Sequence, residues 1–167
     1  MEREHVLVAL VEDEPGVMQR ISGMFTRRHF NIDTISVGHT EKEGLSRMTI
    51  TFWGDDKKAE QIIKQLNKII EVVKVTIMES DSIQRELALI KISTPDENAR
   101  REIVQYANIF RAKIVDVGKD SMIVEVTGNS GKVDAFVKLV NPFGVKELAI
   151  TGVTAMSRGS KPQENGK

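Results

Sequence analysis

One short stretch of this chain has the residue types to grip a small charged ligand: Val11-Glu12-Asp13-Glu14-Pro15-Gly16-Val17. It joins an apolar run, Val6–Val11, to a segment in which Val17, Ile21, Met24 and Phe25 recur at helical spacing. Backbone N–H groups at a helix start lack partners and point toward an incoming anion. Gly16 removes the side chain that would block that approach. A free amino acid would present its carboxylate to those amides and its ammonium to Asp13. Asn31, between the helix and the next strand, offers both a donor and an acceptor. The same residues suit a purely structural turn, with Asp13 and Pro15 shaping it and Asn31 stopping the helix. Residue types alone leave both readings open.

Other chemistry finds no support. The three histidines, His5, His29 and His39, read as surface or turn residues and form no HxxxH or HExxH pattern. No G-x-S-x-G elbow exists. With no cysteine, thiol nucleophiles, disulfides and zinc ribbons are excluded. Gly128-Asn-Ser-Gly-Lys132 is too short between its glycines for a phosphate loop and reads as a strand-to-helix turn capped by Asn129 or Ser130. Glu12-Asp13-Glu14 and Asp55-Asp56 read as carboxylates at helix starts, where they offset the helix dipole. A non-catalytic chain is the expectation, with no metal site. Lysine plus arginine and aspartate plus glutamate number 24 each, which argues against coating nucleic acid or an anionic membrane. Val6–Val11 is too short for a signal sequence, and no stretch approaches membrane-spanning length, so the expected setting is the cytoplasm.

The elements that must position the turn occur twice. Val6–Val11 reads as a strand, followed by a helix stopping near His29, with Pro15 suited to its first turn. Strands follow at Ile32–Val37 and Arg47–Trp53, joined across Gly38–Gly44. A helix carries the stripe Ala59, Ile62, Ile63 and Leu66, and a strand Val72–Met78 closes the unit. The second half repeats the order. Leu87–Ile92 is a strand and Thr94–Glu97 a helix start, with the stripe Ala99, Ile103, Ala107 and Phe110. Strands Ala112–Val117 and Met122–Thr127 join across Gly118-Lys119-Asp120. The stripe Val133, Phe136, Val137 and Val140 ends at Pro142 and Gly144, before a strand Val145–Ile150. Two βαββαβ units imply an α+β fold of two tandem ferredoxin-like sandwiches. The expected boundaries are 1–79, 80–159 and a flexible tail at 160–167.

The opening Leu10-Val-Glu-Asp-Glu-Pro-Gly-Val17, with Arg20, Gly23, Phe25 and Arg28-His-Phe-Asn-Ile32, resembles the ACT domain of acetolactate synthase (acetohydroxyacid synthase) small subunits. Ser46-Arg-Met-Thr-Ile50 resembles that family's third strand. The resemblance continues through Arg85–Ile92, Ile109–Val117, Gly128–Phe136 and Ser157-Arg-Gly159, covering residues 3–159. It implies a regulatory subunit without an active site, which binds and activates a large catalytic subunit. It also implies feedback inhibition by valine or a related branched-chain amino acid. Thiamine diphosphate, FAD and magnesium would belong to the catalytic subunit. ACT domains of two copies would pair into a homodimer with the effector in the seam. The implied effector set is Asp13, Glu14, Pro15, Gly16, Val17, Asn31 and Ile32, with the amides after Glu14 as the carboxylate cradle. Many members have asparagine where this chain has Asp13. An aspartate strengthens the ammonium contact and repels a ligand carboxylate placed against it. Met18 is a candidate pocket residue, whereas Val17 and Ile35 fall on the buried stripe and strand.

Two other classes share this element order. An RNA-recognition domain needs stacked aromatics in a basic, glycine-containing strand motif, which Arg47–Trp53 lacks. The other is a free-standing ligand-responsive regulator; a metal-sensing version needs clustered cysteine or histidine, which is missing, and co-purification with a large thiamine-dependent enzyme separates this class from a regulatory subunit.

Overall fold

In the computed structural model, which describes residues 1–159, each half of the chain builds one antiparallel sheet backed by two helices. The elements are β1 (Arg3–Glu12), α1 (Val17–Arg27), β2 (Thr34–His39), β3 (Leu45–Gly54), α2 (Asp56–Leu66) and β4 (Val72–Ile77), then β5 (Ile83–Ser93), α3 (Glu97–Ile109), β6 (Lys113–Val117), β7 (Ser121–Gly128), α4 (Ser130–Val140), β8 (Val145–Ile150) and β9 (Thr154–Met156). The two tandem βαββαβ units are those the periodicity predicts. β9 is not.

The chain divides into two compact units. In the first, the sheet order is β2-β3-β1-β4. The alternation of β3 decides its faces: Met48, Ile50 and Phe52 join Leu7, Ala9 and Val11 against the stripes of α1 and α2. His5 belongs to this face too, contrary to the surface reading. Its register partner is Phe52, on which its ring stacks, and Nε2 lies 3.0 Å from the Gly54 carbonyl oxygen, which satisfies it. Helix α1 stops where His29 adopts φ 56° and the Phe30 N–H turns back to the Phe25 carbonyl at 2.9 Å.

In the second unit the order is β6-β7-β5-β8. Ala88, Ile90 and Ile92 with Met122, Val124 and Val126 face Ile103, Ala107, Val133, Phe136 and Val140. Asp96 caps α3 by accepting from the Ala99 N–H, and Asn129, rather than Ser130, caps α4 through the Lys132 N–H. A 3-10 turn at Asn141–Phe143 ends α4, as Pro142 suggests, and Gly144 takes φ 95°.

Three expectations change. Pro15 lies in the turn before α1 rather than in its first turn, and no acidic residue occupies that turn. The reason is Gly16, whose φ of 89° is left-handed and stops the helix from extending backwards. The first unit runs through Ile83 instead of 79, and it takes back residues 152–159, which the expected boundary placed in the second. Tethering by side chains explains that return, which no periodicity encodes. The predicted tail at 160–167 lies outside the described residues.

Glu4, beside Trp53 in the β1–β3 ladder, has a carboxyl held above its ordinary value of 4.5 by burial and then by the nearby Asp33 carboxylate. The folded chain therefore binds that proton more tightly than the unfolded chain. The ionised group weakens the fold at neutral pH, and the penalty fades as pH falls through the raised value toward 4.5. Glu4→Gln is expected to raise the melting temperature by about 1 °C at pH 7, as a partly screened carboxylate allows, with no gain below about pH 4. Melting curves across that range check the sign.

Candidate functional site

The turn after β1 is pinned from two sides. The Glu12 N–H donates to the Glu71 carbonyl at 2.8 Å, and the Asp13 N–H donates to the Gly44 carbonyl at 2.9 Å. The next three residues, Glu14, Pro15 and Gly16, are exposed and lead into α1. α2, α3 and α4 are capped by Asp55, Asp96 and Asn129, but no side chain caps α1. The Val17 N–H turns back to the Glu14 carbonyl at 3.4 Å, no side chain takes the amides of Met18 and Gln19, and the positive end of the helix dipole adds to their pull on an anion.

Charges of both signs surround that opening. Arg20, one turn into α1, forms an ion pair with Glu71. Its guanidinium also lies against Gly16, where a Cβ would stand 3.5 Å from Arg20 Nη1. Asp13 Oδ2 is 3.5 Å from His39 Nδ1 at the end of β2, with the two side chains 50% and 87% exposed. Glu14 is exposed beside them. Amides and a guanidinium for a carboxylate, with carboxylates for an ammonium, suit a zwitterion. They do not suit a simple anion, which Asp13 and Glu14 would repel.

Of the predicted residues, Asp13, Glu14, Pro15, Gly16 and the Val17 amide come together here. The Val17 side chain does not, being 3% exposed in the core, as the stripe argument expects. Ile35 also packs against the core, while Met18 is 43% exposed and turned outward. Asn31 and Ile32 lie past the other end of α1, whose 11 residues span about 16 Å. One copy of the chain therefore does not bring all seven residues to one point. β2 forms an open edge of the sheet and runs from beside Ile32 to His39 beside Asp13. Sequence reasoning overlooked His39 and Glu71. His39 is adjacent only through the β2–β3 hairpin, and Glu71 only through the entry to β4.

Among the described residues no group of three or more His, Asp or Glu side chains is placed to hold a metal ion. Among the described residues no helix is long and apolar enough to cross a membrane.

Comparisons agree with this architecture across nearly the whole chain. Residues 7–74 match the family described as the AHAS small subunit-like ACT domain. Residues 85–159 match the family described as the small subunit of acetolactate synthase. The chain is 56% identical over 158 residues to a probable acetolactate synthase small subunit of Methanothermobacter thermautotrophicus, covering 94% of each chain. It is 47% identical over 158 residues to the acetolactate synthase small subunit of Mycolicibacterium smegmatis, covering 94% of this chain and 92% of that one. The crystal structure of the acetolactate synthase small subunit from Thermotoga maritima superposes with a TM-score of 0.88 at 45% identity, covering 95% of this chain and 99% of that one. With both halves matched in order and the fold shared throughout, this chain belongs to the family of acetolactate synthase small subunits.

Proposed function

We propose that this chain is the effector-sensing subunit of a cytoplasmic acetolactate synthase in branched-chain amino acid biosynthesis. It binds and activates a large catalytic subunit and makes that enzyme answer to valine or a related amino acid. The catalytic subunit carries the thiamine diphosphate, FAD and magnesium, and performs the chemistry. The uncapped start of α1, flanked by Arg20, Asp13 and His39, is the observation that carries the reading. The effector carboxylate takes the amides after Glu14 and the ammonium takes Asp13. A homodimer formed along the open β2 edges brings Asn31 and Ile32 of a second copy to complete the pocket, with Met18 toward the aliphatic side chain. Backbone groups on an open edge strand are available for such pairing.

Valine at 100 times its dissociation constant would stabilise the fold by about 2.7 kcal/mol. Thermal melting with millimolar valine is therefore expected to rise by several degrees in wild type, and by less than half as much in Asp13→Ala. The same melt with sodium acetate, a carboxylate without an ammonium, should move little. An equal shift in Asp13→Ala and wild type would remove Asp13 from the pocket. No shift in wild type with valine, leucine or isoleucine would end the effector reading.

A further inference from the structure

Both units leave one sheet face free of helices, but the first unit covers part of its own. The covering is the last described segment, residues 152–159, which packs on the face formed by the even-numbered residues of β1 and the odd-numbered residues of β3. Ala155 joins Val6, Val8 and Met78 in a small apolar cluster, and Val153 and Ala155 are each 3% exposed. Ser36 Oγ of β2 donates to the Val153 carbonyl at 2.7 Å. Arg47 Nη2 of β3 donates to the Ala155 carbonyl at 2.6 Å, and Arg158 Nε to the Asp81 carbonyl at 2.6 Å. Burial holds the Arg47 guanidinium below its ordinary range, so the bond to Ala155 offsets part of a desolvation cost.

The fit at the start of this segment leaves no slack. Any Cβ on Gly152 would collide with the Ile35 backbone carbonyl of β2. β2 is one of the two edge strands of this sheet, laddered to β3 on one side, so it is freer to shift than the inner strands β1 and β3. One of its ends carries His39 against Asp13, and its middle abuts Gly152. Gly152 follows Thr151, which clamps the central strand of the second unit. The Thr151 N–H donates to the Leu87 carbonyl at 3.0 Å, and the Leu87 N–H donates to Thr151 Oγ1 at 2.9 Å. Packed contacts transmit displacement because close-packed groups have no free volume to absorb it.

We infer that Gly152–Ala155 is a strap through which effector binding at the α1–β2 end of the first unit is communicated to β5 of the second. This rests on the effector reading above and adds the route by which occupancy becomes regulation. Its energetic requirement is that the effector favour one placement of β2 over another, since equal affinity for both shifts nothing. With the strap loosened, the site should still fill while the enzyme ceases to respond.

The test uses the full chain reconstituted with its catalytic subunit, with valine as probe. In Gly152→Ala, valine binding by calorimetry is expected within about threefold of wild type and activation of the catalytic subunit is expected to persist. The valine concentration for half-inhibition should rise at least tenfold. Inhibition unchanged in that variant would overturn the strap. So would loss of binding together with inhibition, which would place Gly152 in the site itself. Hydrogen exchange on the wild-type full chain needs no variant: saturating valine should alter exchange at residues 152–155 and at Leu87. Valine that binds without changing either segment would also overturn the inference. A wild type that binds no branched-chain amino acid would instead fail at the effector reading, before the strap is reached.

Discussion

Gly16→Val should abolish the response to valine while leaving most of the fold in place. Gly16 holds φ 89°, a conformation that a β-branched residue reaches only at about 1–2 kcal/mol or more. The turn can escape this strain by swinging away from the left-handed region, which would redirect the amides that follow it. A side chain there also meets the Arg20 guanidinium and disturbs its pair with Glu71. Both consequences fall on the same few atoms, so valine affinity is expected to drop at least a hundredfold. The melting temperature of the unliganded protein should fall by only about 3–8 °C, as one to two kcal/mol does in a chain of this size. Calorimetry with valine and a melt without it separate the two effects. Wild-type affinity in this variant would mean that the amides after Glu14 hold nothing.

Phe52→Ala carries the largest expected cost to the fold. The ring is fully buried on the inward face of β3, with His5 stacked on it at 5.3 Å between centroids. Emptying such a site removes the transfer free energy of the ring and leaves a cavity, for a loss of about 3–5 kcal/mol. His5 loses its stacking partner too, although its bond to Gly54 fixes the other side of the ring. Urea denaturation should show a lower midpoint with little change in slope. Trp53, next in sequence and half exposed on the opposite face, is a control: Trp53→Ala should cost under half as much.

The periodicity exposed the fold because the two sheets and four helices obey simple spacing. Residues Met48, Ile50 and Phe52 alternate, and Val17, Ile21, Met24 and Phe25 recur at helical intervals. What periodicity missed was held by single contacts. The segment that carries β9 buries only Val153 and Ala155, too few to make a pattern, and Ser36 and Arg47, more than 100 residues earlier, hydrogen-bond to it. The α1 turn was legible in kind, since glycine after proline before a helical stripe announces a helix entry. Its register was not, because proline fits a first turn and only the left-handed Gly16 puts it outside. The ligand-facing charges divided along the same line. Asp13 and Gly16 are local and readable, whereas His39 and Glu71 reach the turn through a hairpin and a strand entry that no short window contains.

The return of the last segment to the first sheet has a consequence for synthesis. A chain emerging from the ribosome makes all four strands of its first sheet early, but the residues that cover Val6, Val8 and Met78 arrive only after the whole second unit has been translated. Through that interval an apolar patch stands open on a newly made sheet, the kind of surface on which nascent chains associate. A gene cut at residue 79 or 83 would leave the patch open for good, so the amino-terminal half made alone should be stickier than the complete protein.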